Sequence, residues 1–286
     1  MELLDTAIRM TKKTAEIPSF SSYEERIHPF IEGRFEALIR SGMVSKIPVN
    51  GNSLIYNYDN DSELTIALTA HLDKINHYGE TYPAQLPVKE TETFIEGAMD
   101  NCAGLGVILA LCSLLPQKNF PNLLLFFSEM EESKGLKEHP ELLKNNGEGY
   151  THGMGARKIA KACLKQGIIP DEVITVDTTP LFKGEKGVAV YSKHWELNDL
   201  EAGDSLINKT KNSVNTFLSI DDKIHLDNNT NDYLHYGFEF NSKANKDVVS
   251  LALEPAIYPY HQKGERVFKS DIERVLKILI QYLSIK

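Results

Sequence analysis

The feature that most narrows the fold is a set of short, almost wholly apolar runs, each of which stops at a histidine or an acidic residue. Leu64-Thr65-Ile66-Ala67-Leu68-Thr69-Ala70 leads into His71-Leu72-Asp73, and Leu123-Leu124-Leu125-Phe126-Phe127 into Ser128-Glu129-Met130-Glu131-Glu132. Val173-Ile174-Thr175-Val176 leads into Asp177, and the run at 248–253 into Glu254. Runs of this length without polar alternation read as strands buried on both faces, the habit of a parallel sheet. Leu54-Ile55-Tyr56, after the turn residues Gly51-Asn52-Ser53, reads as a further strand. Helical spacing falls between or after the runs, at 105–115, 156–166 and 272–283, and twice before them, at Leu3, Leu4, Ile8 and Met10 and at Ile27 to Ile39. Ser21 to Glu25 is expected to supply an N-cap and capping box to the second of those early helices. Strands alternating with helices predict an α/β chain, a three-layer α/β/α sandwich on a mostly parallel mixed sheet. The stretch 180–245, richer in Asn, Asp, Lys and Gly, is expected to hold hairpins and surface loops around a site.

A length of 286 residues sits near the upper end of what one core supports, so one domain over 1–286 is expected. At 42% hydrophobic and 25% charged the chain is neither disordered, collagen-like nor a disulfide scaffold. A net charge of −9 with no Lys/Arg stripe repels a phosphate backbone, which excludes nucleic acid as a partner and favours a cation. Cys102, Cys112 and Cys163 are too few and scattered for a disulfide framework or a cysteine zinc site, as suits a reducing compartment. Glu2, Asp5, Arg9, Lys12 and Lys13 interrupt the first twenty residues, unlike a signal peptide. No stretch approaches about 18 consecutive apolar residues, so no membrane span is expected. The expectation is a cytoplasmic protein; the sequence assigns no oligomeric state.

In an open α/β sheet ligands bind beyond the carboxyl ends of the strands, which directs attention to the residues that follow each run. To them are added Gly97-Ala98-Met99-Asp100-Asn101, a turn leading into a helix, and Tyr260-His261 beyond the last strand. If His71, Asp100, Glu132, Asp177 and His261 converge, their charge is about −3, and buried carboxylates cannot all stay ionised without a cation. Two Zn²⁺ ions with a bridging hydroxide bring the sum close to zero. Imidazole with carboxylate suits zinc, with Co²⁺ or Mn²⁺ as substitutes. A metal pair polarises a carbonyl and activates water, which is hydrolase chemistry. Taken singly, each motif has a plainer reading: a solvated acidic loop at Glu131-Glu132, a turn at Asp177, a surface histidine at His261. Glu129 leaves a shifted pairing of the glutamates open. Of the other histidines, His77, His139, His225 and His235 read as surface or loop residues, with His152 and His194 the two that stand to face a cleft. Cys102 reads as a packed small residue.

These motifs, in this order from Leu64 to Leu283, resemble the co-catalytic di-zinc aminopeptidases: the bacterial leucyl aminopeptidase type, the tetrahedral aminopeptidases and the related zinc carboxypeptidase-like amidohydrolases. The resemblance implies a phosphorylase/hydrolase-like zinc exopeptidase core. His71-Leu72-Asp73 looks like the family's His-x-Asp, in which the histidine binds metal and the aspartate orients it. Gly97 to Asn101 is similar to the Gly-x-x-Asp-Asn pattern, which would make Asp100 the bridging ligand. Glu131-Glu132 looks like the paired glutamates, general base and then ligand. Asp177 and His261 take the places of the last two ligands. The resemblance implies one zinc on Asp100, Glu132 and His261 and the other on Asp100, His71 and Asp177. Thr230-Asn231-Asp232 vaguely resembles a Gly-Thr-Asp stretch of the tetrahedral branch and is given no role.

The chain departs from that pattern in having too little sequence between Asp73 and Asp100, or between Asp177 and His261, for an inserted oligomerisation domain or a full lid. The stretch 134–153 is longer than the family's usual turn and is expected to cover the cleft. The implied activity is hydrolysis of an N-terminal peptide bond by a di-zinc-activated water, with Glu131 as general base and peptides or small amides as substrates. An N-acyl amino acid amidohydrolase, an aminoacyl cyclotransferase or a relative that binds peptide without turnover are the alternatives.

Overall fold

The apolar runs form neighbouring strands of one sheet in the computed structural model, which describes residues 2–286. Helices α1 (Glu2–Glu16) and α2 (His28–Arg40) precede strands β1 (Val44–Ile47), β2 (Leu54–Tyr58), β3 (Thr65–His71), β4 (Lys89–Glu90) and β5 (Phe94–Gly97). Then follow α3 (Cys102–Cys112), β6 (Asn122–Ser128), α4 (Ser133–Glu138), α5 (Met154–Gln166), β7 (Glu172–Val176), β8 (Val188–Tyr191), α6 (His194–Leu197) and α7 (Asp204–Ile220). The chain ends with β9 (His225–Asp227), α8 (Asp232–Asn241), β10 (Val249–Pro255), β11 (Ile257–Tyr258), β12 (Glu265–Phe268) and α9 (Lys269–Ile285).

The main sheet has the order β1-β2-β6-β3-β7-β10-β8-β9. Its centre, β6-β3-β7-β10, is parallel; β1 and β2 on one side and β8 on the other join it antiparallel. The path leaves β3 for β6 on one side and then crosses to β7 on the other, so strand order reverses at β3, where an open α/β sheet forms its ligand crevice. A small sheet, β11-β12-β5-β4, lies beyond that edge and carries the chain toward Asp100 and away from His261.

Alternate residues of one strand face opposite layers. Leu123, Leu125 and Phe127 join the core formed with α1, α3 and α9, whereas Leu124 and Phe126 meet Ala156, Ile159 and Ala160 of α5 and Tyr236 and Phe240 of α8. Helix α3 is buried along its whole length and has no polar face.

Three expectations are corrected. No capping box starts α2: the Ser22 N–H donates to Glu24 Oε1 at 2.9 Å within a separate 3₁₀ turn, Glu24–Arg26. Pro29 near the start of α2 lacks an N–H and would clash with the carbonyl four residues earlier, so no continuous helix runs through Glu24. The stretch 180–245 is not hairpins and loops but contains α7 and α8, whose buried residues, among them Leu206, Thr210, Val214 and Phe217, sit on a helical stripe diluted by polar neighbours. The stretch 134–153 does not cover the cleft beside Asp100 and Glu132: it forms α4 and two 3₁₀ turns that pack on Ser21 and Ser22, through Gly135 and the Lys144 N–H, and reaches the candidate residues only where Lys134 Nζ donates to His261 O at 3.0 Å and His152 contacts Glu131 O.

Close approach around α3 depends on absent side chains. A Cβ on Gly104 would lie 2.1 Å from Val176 O, and one on Gly106 would lie 2.0 Å from Thr11 Oγ1 in α1. Gly104→Ala is therefore expected to destabilise the protein by about 1–3 kcal/mol through overpacking, read as a lower denaturant midpoint at unchanged slope.

Candidate metal centre

Each candidate residue stands where a strand or turn ends. His71 is the last residue of β3, Asp73 lies two beyond, Glu131 and Glu132 follow β6 through Met130 at φ +55°, and Asp177 is the first residue after β7. Asp100 directly precedes α3, whose N-cap Asn101 accepts from the Gly104 N–H at 3.0 Å and donates to Val176 O at 2.8 Å, pinning this turn to the end of β7. The Asp100–Asn101 peptide is cis. His261 lies in the loop between β11 and β12 at φ +55°, its ring stacked on Tyr260 with centroids 3.6 Å apart.

The five candidate ligands meet as two triads that share Asp100: His71, Asp100 and Asp177, and Asp100, Glu132 and His261. In the first, His71 Nε2 lies 3.2 Å from Asp100 Oδ1 and 3.6 Å from Asp177 Oδ1. In the second, His261 Nε2 lies 3.1 Å from Glu132 Oε2 and 3.5 Å from Asp100 Oδ2. Donors held about 2.0–2.2 Å from one tetrahedral zinc stand about 3.3 Å apart, so both spacings suit an ion at the centre of each triad. Glu131 Oε2 lies to one side, 3.9 Å from His71 Nε2.

Protonation makes the same point. His71 Nδ1 is 3.0 Å from Asp73 O and 3.3 Å from Asp73 Oδ1, both acceptors only, so the ring proton sits on Nδ1. In the neutral ring Nε2 then turns a lone pair toward the Asp100 and Asp177 carboxylates, an arrangement that calls for a cation between them. Glu132 Oε2 is buried and makes no aligned hydrogen bond, His261 Nε2 at 3.1 Å included. A free carboxylate oxygen among nitrogen and oxygen donors fits a zinc-type ion.

Titration in the bare cluster follows from crowding. Burial, then Asp100, push Asp177 up to about 6; burial and Asp100 likewise take Glu132 to about 7. Glu131 is raised well above the usual carboxylate range by burial, with Asp177, Glu132 and Asp232 adding to it against the opposing pull of His71. Burial alone would lower both histidines, but Asp100 and Asp177 hold His71 well above its ordinary value, and Asp100 and Glu132 take His261 to about 10.

Asp73 and Glu265 position the cluster. Asp73 accepts from the Ser21 hydroxyl at 2.8 Å and from the Glu131 and Glu132 N–H groups at 3.0 and 3.1 Å. It therefore orients His71 and at the same time fixes the turn bearing both glutamates. Glu265 Oε2 accepts from the N–H groups of Met99 and Asp100 at 2.9 and 3.2 Å, and its Oε1 from the His261 N–H at 3.1 Å. Glu129 is not in the cluster: it pairs with Lys158 at 2.7 Å and accepts from the Asn52 N–H at 2.8 Å, which resolves the pairing of glutamates in favour of Glu131 and Glu132 facing the centre.

Sequence reasoning noted Asp232 and Glu254 but gave neither a role. Asp232, the first residue of α8, is buried, accepts from the Ser128 hydroxyl, and has Oδ1 unpartnered. Glu254 in β10 is buried against the Asn231 amide. The phrase Thr230-Asn231-Asp232 was the available signal for the first. Of the two histidines that stood to face a cleft, His152 contacts Glu131 O through Nδ1, and His194 lies in the core against Gly237 with both ring nitrogens unpartnered.

No family model matches the chain, and no curated protein matches it. Solved structures do. A TET aminopeptidase from a marine sediment archaeon of the Thaumarchaeota superposes with TM-score 0.67 at 10% identity, over 98% of this chain and 96% of that one. An aminopeptidase from the archaeon Desulfurococcus kamchatkensis gives 0.66 at 14% identity, over 99% and 96%. Aminopeptidase PepT from Bacillus cereus gives 0.65 at 12% identity, over 98% of each chain. The chain therefore has the fold of these peptidases over nearly its whole length.

The raised groups set the sign of a pH test. Without metal, the folded chain holds protons on Asp177, Glu132 and His261 that the unfolded chain releases at ordinary values, so stability falls as pH rises from about 4 toward about 10. Asp73 and Asp100, both depressed, oppose this below about pH 4, and His77, His194 and His235, lowered by burial to about 4, 4 and 3, oppose it up to about pH 6.5, above which the raised groups act unopposed by them. Melting temperatures of chelator-treated protein are expected to drop between about pH 6.5 and about pH 8, and the gain on adding Zn²⁺ to be larger at the higher pH. A gain equal at both would contradict the crowding.

Proposed function

We propose that this protein is a metal-dependent aminopeptidase of 286 residues acting as one catalytic domain, with His71, Asp100 and Asp177 as ligands of one ion and Asp100, Glu132 and His261 of the other. The observation that carries the reading is the pair of three-donor sets sharing one buried aspartate, set at the strand-order reversal of a peptidase fold. Two zinc ions in these triads, or cobalt or manganese, would polarise a substrate carbonyl and acidify water near neutral pH.

The chain's own residues do the rest. Glu131, buried beside the triads and pushed toward the protonated form, is suited to take a proton from the attacking water and return it to the leaving amine. Asp73 keeps that carboxylate in place by holding the backbone of residues 131 and 132. With both ions bound the charge of the candidate ligands is close to balanced, and the buried acids Asp232 and Glu254 behind them suit a free amino group better than an acyl-blocked nitrogen. Asp232, with one buried oxygen unpartnered, supports that preference. The buried free cysteines suit a reducing, cytoplasmic setting, and among the described residues no helix is long and apolar enough to cross a membrane.

Glu131→Gln is expected to lower kcat by about 10²–10⁴-fold on aminoacyl-nitroanilides while zinc content stays at the wild-type level. Asp100→Ala is expected to lose both ions together in elemental analysis. Full turnover in the first variant, or stoichiometric metal in the second, would overturn the assignment.

A further inference from the structure

Asp100 and Glu132 form part of the wall of a cleft of about 420 Å³, a volume typical of small-ligand sites. The rest of the lining brings in Lys74, Lys89 and Lys263. The other acidic groups there are already engaged: Glu96 pairs with Arg266 at 2.7 Å, and Glu265 is filled by three backbone N–H groups. None of the three lysines has a carboxylate partner within ion-pair distance among the described residues, in a chain whose net charge is −9.

Lys74 is the telling one. It is 1% exposed, and its Nζ donates to a single neutral acceptor, Ser19 Oγ at 2.6 Å, a hydroxyl that donates onward to Leu72 O at 2.8 Å. An ammonium has three donors to satisfy, and a buried one without a counter-charge is strongly unfavourable unless an anion completes it. Lys263 lies over the Tyr78 ring at 4.6 Å, a cation–π contact that holds the side chain without neutralising it.

We propose that this cleft is the substrate's anion pocket, in which Lys74, assisted by Lys263, binds a carboxylate of a short peptide whose ammonium end lies at the acidic centre. The inference rests on the aminopeptidase reading and adds the substrate class. With the triads balanced by their ions, the unpaired lysines of the cleft are the charge left to satisfy, and the complementary ligand is a short peptide that carries a carboxylate. The carboxylate comes either from the peptide's own C-terminus or from an acidic side chain.

Four dipeptides separate these sources: Leu-Gly, Leu-Gly-amide, Glu-Gly-amide and Gln-Gly-amide, assayed with zinc-loaded enzyme. A higher kcat/KM for Leu-Gly than for its amide marks the C-terminal carboxylate, and a higher value for the Glu than for the Gln peptide marks a side chain. One of the two ratios is expected to be about 10- to 100-fold, carried mostly by KM, as for a charge-assisted hydrogen bond. Lys74→Met, which keeps the buried stem, is expected to bring that ratio close to one, and Lys263→Ala, a change at an exposed position, to reduce it in part. Hydrolysis of all four peptides with both ratios near one, or ratios unchanged in both variants, overturns the anion pocket and leaves the peptidase reading standing. Hydrolysis of none overturns the peptidase reading, and the pocket with it.

Discussion

Concentration of negative charge at the carboxyl edge of the parallel strands is the constraint around which the molecule is organised. Asp100, Glu131, Glu132 and Asp177 are all buried at one spot, with Asp232 and Glu254 close behind. Protons on His71 and His261 compensate part of that charge, at the cost of raising several pKa values at once. Cations compensate it more completely, because each triad already has its donors at the separation an ion requires. Sharing Asp100 between the triads couples the two positions, so one carboxylate governs both.

Such a cluster repels itself, so something other than its members has to hold it. Asp73 and Glu265 do this, each by gathering backbone N–H groups, to which Asp73 adds the Ser21 hydroxyl. A carboxylate that gathers several N–H donors is bound firmly and directionally. In this way the β3 end is tied to the turn after β6, and the turn before α3 is tied to the loop carrying His261. Rigid backbone then presents the candidate ligands and Glu131 in one geometry, the condition for a site that spends little energy on reorganisation.

Charge is also sorted across the cleft. The acidic centre and the lysines beyond it share one cavity wall, and Lys74 follows Asp73 directly in sequence, so the polarity reverses over a single peptide unit. A substrate with an ammonium at one end and a carboxylate toward the other would be oriented by this field before any side-chain pocket is consulted.

Most of the architecture can be read along the chain, because strands buried on both faces must be continuous apolar runs and every such run here became a central strand. His71, Asp73, Glu131, Glu132 and Asp177 were legible as candidates for a related reason, since they lie just past buried strands where an open α/β sheet forms its ligand crevice, whereas Asp100 and His261 were picked out by their motifs. Where the helical signal was weak, in α7 and α8, or misleading, as at Ser21 to Glu25, polar dilution and Pro29 decided against the local pattern. Glu129, Glu131 and Glu132 are equivalent on paper; only the turn at Met130 sends one out to Lys158 and the other two inward. The sequence marked Asp232 and Glu254 without giving either a role; their part, and that of Glu265 and Lys74, was decided by tertiary structure, since burial of a charged side chain depends on which distant backbone closes over it, and no local spacing records that.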